Sequence, residues 1–318
     1  MFGQVTGIHH VTALSSSAQR NVDLYAGVLG LRLVKRTVNF DAPGVHHLYY
    51  GDEAGSPGSI MTFFPYEDLA RGRPGKGQLT VTMFSIPEGS VDHWVERLAR
   101  FNIPVKGPQQ RLGGEVFISF EDHDGLNLEL VEAPADRRPG NSLGPVAPEH
   151  AIKGFHGVVL SLDRPEPTVA VLTEQLGYRA GREGSDRFRF SLGDGPGSIV
   201  DIVRSPHEMR GLAGSGTVHH VAFSTPDDRG QEQLQESLSR IGLQVTPVMD
   251  RQYFRSIYFR EPGGILFEIA TEPPGFMIDE SQEKLGSELK LPAWAEPQRR
   301  KIEEQLAPIT VELSKFQD

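Results

Sequence analysis

The chain has 318 residues, enough for two domains, and its 32 Lys and Arg against 42 Asp and Glu give a net charge of −10. That balance, with no long run of one sign, argues against nucleic acid and anionic membrane as partners. Cys is absent, which excludes disulfides, thiolate metal sites, iron–sulfur clusters and a thiol nucleophile, and leaves His and carboxylates as the ligands for any metal.

The opening run MFGQVTGIHHVTAL carries no basic segment followed by an apolar one. No stretch approaches the ~18 apolar residues of a membrane helix, so a cytoplasmic chain is expected. The first strand is predicted over residues 7–14 (GIHHVTAL). It is followed by a one-sided helix marked by Val22, Tyr25 and Leu29 and by a hairpin-like pair, HLYYGD and SIMTFFPY. A second unit opens with residues 77–87 (GQLTVTMFSIP) and a helix marked by Val91, Trp94 and Leu98. Residues 133–151 (APADRRPGNSLGPVAPEHA) read as a linker from their Pro, Gly and charge, dividing the chain into halves at 1–147 and 152–318.

A third unit opens with residues 154–162 (GFHGVVLSL) and a fourth with residues 216–226 (GTVHHVAFSTP). The fourth continues through a helix marked by Leu234, Leu238 and Ile241. It closes in YFRSIYFREPGGILFEIAT, where Pro262-Gly263-Gly264 turns between two strands. Past Gly275 a charged, partly helical tail ending in PQRRKIEEQLAPI reads as a packing or oligomer element. The recurring unit is βαβββ, and four of them predict an α+β fold of two open, barrel-like mixed sheets.

Aligning the opening strands puts His10 opposite Val81, Gly157 and His220, and aligning GLNLELVEA with GILFEIATE puts Glu129 opposite Glu268. The first and fourth units together offer His10, His220 and Glu268; the second and third offer Val81, Gly157 and Glu129. Ligand atoms must come within ~2.2 Å of a metal, so residues 10 and 220 converge only if module 1 packs with module 4, leaving 2 with 3. Two imidazoles and a carboxylate on one face leave cis positions open at an octahedral metal. This suits iron(II), with manganese(II) or another divalent metal as alternatives. Glu268 stands between Phe267 and Ile269, where a carboxylate is unfavourable unless paired or metal-bound. Glu129 is read as a structural relic, and His46-His47, a third pair without a repeat partner, as structural. His93, His123, His150, His156 and His207 are read as loop or helix residues without a convergent partner.

The IHHVTAL and VHHVAF strands, the segment DRQYFRSIYFREPGGILFEIATEPPGF and the tail MIDESQEKLGSELKLP resemble the ring-cleaving dioxygenases of the vicinal oxygen chelate superfamily (glyoxalase-like proteins), in particular its hydroquinone and chlorohydroquinone 1,2-dioxygenases. The resemblance covers nearly the whole chain. It implies an iron(II)-dependent enzyme of aromatic catabolism that opens a hydroquinone-type diol with O2. By position, His10, His220 and Glu268 match its metal ligands. Arg251 and Tyr258 match residues beside the metal in hydroquinone-cleaving members, and His9, His219 and Thr12 match positions beside the ligands. The expected partners are a small aromatic substrate, O2 and further copies of the chain in a homo-oligomer. Three other readings stand beside this one: an extradiol dioxygenase of catechols, a glyoxalase-type isomerase, whose site typically carries two carboxylates, and a binding protein without turnover.

Overall fold

The computed structural model describes residues 5–111, 113–184, 186–193 and 197–318. Module 1 contains β1 (Gly7–Ser15), α1 (Ala18–Val22), β2 (Arg32–Asn39), β3 (Ala42–Gly51) and β4 (Ile60–Pro65). Module 2 contains β5 (Gln78–Ile86), α2 (Val91–Arg100), β6 (Val105–Gln110), β7 (Val116–Glu121) and β8 (Asn127–Glu132). Module 3 contains β9 (Gly154–Leu162), α3 (Glu166–Ala170), β10 (Arg179–Glu183), β11 (Arg187–Ser191) and β12 (Ile199–Arg204). Module 4 contains β13 (Thr217–Thr225), α4 (Asp228–Arg240), β14 (Met249–Asp250), β15 (Arg255–Arg260) and β16 (Leu266–Thr271).

The strands form two eight-stranded sheets, ordered β14-β15-β16-β13-β1-β4-β3-β2 and β10-β11-β12-β9-β5-β8-β7-β6. Module 1 thus pairs with module 4 through antiparallel β1 and β13, and module 2 with module 3 through antiparallel β5 and β9. Within each module the first and last strands run parallel, as β1 with β4 and β13 with β16 do. The helices pack on the sheets, and those of the two sheets meet, with Arg97 Nε of α2 donating to Val28 O of module 1 at 2.8 Å. Trp94, Leu98, Leu234 and Leu238 join one core with Val11, Phe84, Phe155 and Phe267. In modules 1 and 3 the helix widens by one residue at its end, with Leu29 N–H donating to Leu24 O (2.8 Å) and Leu176 N–H to Val171 O (3.1 Å).

The tail packs on modules 1 and 2. Lys35 Nζ, fully buried, donates to Phe276 O (3.1 Å) and pairs with Asp279 and Glu280, while Arg97 holds Phe316 O (2.7 Å) and the Asp318 carboxylate (2.6 Å). His46 Nε2 pairs with Ala307 O (2.8 Å). The tail helix α5 (Arg299–Gln305) buries Ile302 against Val38 and Leu291. Among the described residues no helix is long and apolar enough to cross a membrane.

Candidate metal centre

A regular strand sends neighbouring side chains to opposite faces, so the paired histidines are expected to separate. A bulge in each strand prevents this. Between β1 and β13, Ile8 pairs with Phe223 and His10 with Ala222, leaving His9 as the extra residue. Thr12 pairs with His220 and Ala13 with Val218, leaving His219 as its counterpart. The bulge turns the two rings of each pair together: Nδ1 of His9 lies 2.9 Å from Nδ1 of His10, and Nδ1 of His219 lies 2.7 Å from Nδ1 of His220. The partner on Nδ1 fixes how each imidazole is turned and leaves Nε2 of His10 and His220 aimed inward.

These two Nε2 atoms are 3.2 Å apart, and Glu268 Oε2 lies 3.3 Å from that of His10 and 2.9 Å from that of His220. Ligand atoms ~2.1 Å from one ion and at right angles about it stand roughly 3.0 Å apart, so the three atoms have the spacing of one face of an octahedron. All three residues are buried. Glu268 Oε2 makes no well-directed hydrogen bond among the described residues, as expected of a lone pair that shares a focus with two imidazoles. Burial alone would raise the pKa of Glu268, but His10 and His220 outweigh it and hold the carboxyl well below its ordinary value. A buried carboxylate that pairs with no Lys or Arg among the described residues has a charge for a cation to match. The donor set fits a divalent metal.

The other carboxylate oxygen, Oε1, accepts a hydrogen bond from the buried Ser256 hydroxyl. Tyr258, paired across β15 and β16 with Glu268, accepts from Arg251 Nε at 3.1 Å, and Arg251 reaches Asp41 at 3.4 Å. Burial, then the Glu268 charge, pushes the Tyr258 phenol pKa up, so its proton is retained. His9 is pushed down to about 3 by burial and by His10, and Phe254 packs 5.0 Å from the rings of both. A cavity of about 330 Å³ opens over the cluster. His10, His47, Tyr49, Phe64, His219, His220, Arg251, Phe254 and Tyr258 line it, with Leu14, Asn39, Phe40, Asp41, Tyr66 and Leu266.

Of the residues singled out in the sequence, His10, His220, His219, Arg251 and Tyr258 therefore reach the cavity, and Glu268 lies buried beneath it. His9 and Thr12 stand behind this lining. Thr12 Oγ1 pairs with Thr62 Oγ1 at 2.9 Å, and Thr62 in turn with His47 Nε2 at 2.8 Å. The third His pair divides: His46 ties down the tail, whereas His47 lines the cavity and carries Tyr49 OH on Nδ1 at 2.8 Å. His156, read from sequence as lacking a partner, sits in β9 and meets Glu115 at 3.2 Å. His47 and Ser256 were missed because each belongs to a middle strand. Their signal lies in the pairing. His47 stands two residues before Tyr49, which faces Thr62, and Ser256 stands two before Tyr258, which faces Glu268.

The same register extends the repeat to the other sheet. Met83 pairs with Glu129 and Val159 with Asp201, as Ala222 pairs with Glu268, so Asp201 is the module 3 counterpart of Glu268. Here the carboxylates meet guanidinium groups. Arg187 and Arg189 bind Asp201 at 2.7 and 2.8 Å, Arg111 pairs with Glu129, and Arg189 also pairs with Glu115. A Cβ on Gly157, the counterpart of the ligand histidines, would lie 2.4 Å from Ile199 O, so this position has no room for an imidazole.

A model of the Glyoxalase/Bleomycin resistance protein/Dioxygenase superfamily matches residues 7–130 and 142–269, and the chain belongs to that superfamily. It is 46% identical to the Bacillus subtilis protein named "Putative ring-cleaving dioxygenase MhqO", over 98% of this chain and 99% of the relative. It is 38% identical to the chlorohydroquinone/hydroquinone 1,2-dioxygenase of Sphingobium indicum, over 91% of this chain and 92% of that protein. The crystal structure of a "putative dioxygenase" from Bacillus subtilis superposes with a TM-score of 0.93 at 45% identity, covering 97% of this chain and 99% of that one.

Proposed function

We propose that this chain is a non-haem iron(II)-dependent ring-cleaving dioxygenase that opens a hydroquinone-type aromatic diol with O2. The observation that carries the reading is the convergence of His10, His220 and Glu268, 2.9 to 3.3 Å apart, at the floor of a cavity of about 330 Å³. That volume lies at the small end for ligand sites and suits a single ring. Relatives named for ring cleavage, one of them for hydroquinones, support the reaction class. Iron(II) held by these three residues would supply adjacent open positions for a phenolate oxygen and O2, and a path for electrons between them.

The chain's own residues do the rest. Arg251 keeps a fixed positive charge at the cavity wall, where it favours negative charge developing on oxygen. Tyr258 accepts from Arg251, and its retained phenol proton is a donor for a reacting oxygen. Phe254 holds the His9 and His10 rings in place. His47, oriented by Tyr49 and Thr62, bounds the ring from the module 1 side. An isomerase needs a second carboxylate as base. Glu129 is committed to Arg111 in the other sheet, and the cavity's Asp41 is paired with Arg251 at 3.4 Å.

Oxygen uptake by protein loaded anaerobically with iron(II), given hydroquinones and catechols, tests the reading with His220→Ala as control. Tyr258→Phe is expected to slow turnover about 100-fold while retaining its metal; iron loss in that variant contradicts its assigned role. Stoichiometric metal without uptake of oxygen with any diol contradicts the dioxygenase and directs attention to isomerase chemistry.

A further inference from the structure

The cavity has a second polar end. Along β4, Thr62 and Phe64 share a face by strand alternation, and Tyr66 continues it past the strand end, its amide donating to Ser15 O at 2.9 Å. At ~3.3 Å per residue, Tyr66 stands roughly 13 Å of backbone from Thr62. Thr62 pairs with Thr12, two residues from His10. Phe64, Leu14, Phe40 and Leu266 supply an apolar wall around the same cavity.

At this far end the Tyr66 hydroxyl accepts a hydrogen bond from Asn39 Nδ2 at 3.1 Å, while Asn39 Oδ1 accepts from the Asp41 amide at 2.9 Å. The acceptors of the pair are engaged. What it has left to offer is the Tyr66 O–H and the second N–H of Asn39, both donors. An oxygen-binding cluster at one end, an apolar and aromatic middle and hydrogen-bond donors at the other end match a flat ring with oxygen at both poles.

We propose that Asn39 and Tyr66 select a para-oxygenated ring by donating to the oxygen opposite the one held at the His10, His220 and Glu268 cluster. An ortho-diol directs both oxygens to the cluster and leaves these donors, buried Asn39 and half-buried Tyr66, without that partner. The inference rests on the ring-cleavage reading but is measured apart from it.

Anaerobic calorimetry of iron(II)-loaded protein with hydroquinone and with catechol reads the preference in Kd, and oxygen uptake reads it in kcat/KM. Tyr66→Phe removes one donor. Asn39→Asp removes the other while keeping the acceptor that holds the Asp41 amide. Each is expected to lower the preference for hydroquinone over catechol about tenfold, the worth of one hydrogen bond. An unchanged preference in two folded variants overturns the inference, as does wild-type protein that binds the two diols equally. Wild-type protein that prefers hydroquinone in calorimetry, loses that preference in Tyr66→Phe and takes up no oxygen supports the selection while contradicting the dioxygenase.

Discussion

The two sheets share a plan and differ in what faces their buried carboxylates. Glu268 and Asp201 occupy equivalent positions, and both are fully buried. In the module 2 and 3 sheet the counter-charge is written into the chain as Arg187 and Arg189. In the module 1 and 4 sheet the same environment holds imidazoles, and no Lys or Arg pairs with Glu268 among the described residues. A covalently tethered cation makes a structural lock; imidazole donors around a carboxylate without a guanidinium partner make a place for a mobile cation. The bulges do not distinguish the sheets, since Thr80 and His156 occupy the extra position in β5 and β9 as His9 and His219 do in β1 and β13.

The largest expected effect is on the metal side. His220→Ala removes one of the donors, and metal analysis is expected to show loss of stoichiometric iron with little change in thermal unfolding of the metal-free protein. Retention of tight metal would break the comparison. On the other side, Arg189→Met leaves Asp201 and Glu115 short of a partner in the interior. It should cost about 3 kcal/mol in denaturant unfolding, with metal content and turnover as in the wild type. A stability unchanged by that substitution would mean the guanidinium lock has no structural weight.

A smaller effect sharpens the contrast within the metal side. Ser256→Ala leaves the Glu268 side chain less firmly oriented and should weaken metal affinity about tenfold, read by competition with a chelator. The smallest is a pH effect. Burial would raise the pKa of Asp201, but Arg189 and Arg187 outweigh it and depress it. A carboxyl lowered on folding contributes stability above its unfolded pKa of about 4 and loses it as pH falls through the folded value. Unfolding free energies measured downward from neutral pH should therefore fall less steeply below about pH 4 in Asp201→Asn than in the wild type. Equal slopes would remove Asp201 from the acid-sensitive groups.

Much of this was legible in the sequence, for reasons that also mark its limits. A chain without Cys has few ligand types, and a fourfold repeat turns each of them into a position that can be compared. His10, His220 and Glu268 therefore stood out, and their convergence required the module pairing that the sheets display. Asp201 escaped because IVDIVR shares little with GILFEIATE beyond an acid among apolar residues, and its place emerges only from its pairing with β9. His47 escaped because its counterparts are Ser256, Arg187 and Phe117, chemically unlike residues in one register position. The bulges were invisible for the same reason: a one-residue slip is a property of two strands, and it alone converts an adjacent His pair from opposed to touching.

The central claim is ring opening by dioxygen at the His10, His220 and Glu268 cluster, and isotopic labelling tests it most directly. Iron(II)-loaded protein turning over hydroquinone under 18O2 is predicted to give a ring-opened product that carries both labelled oxygen atoms in its mass spectrum. An intact ring, or a product with one labelled oxygen or none from a reaction protected against exchange with water, would contradict it.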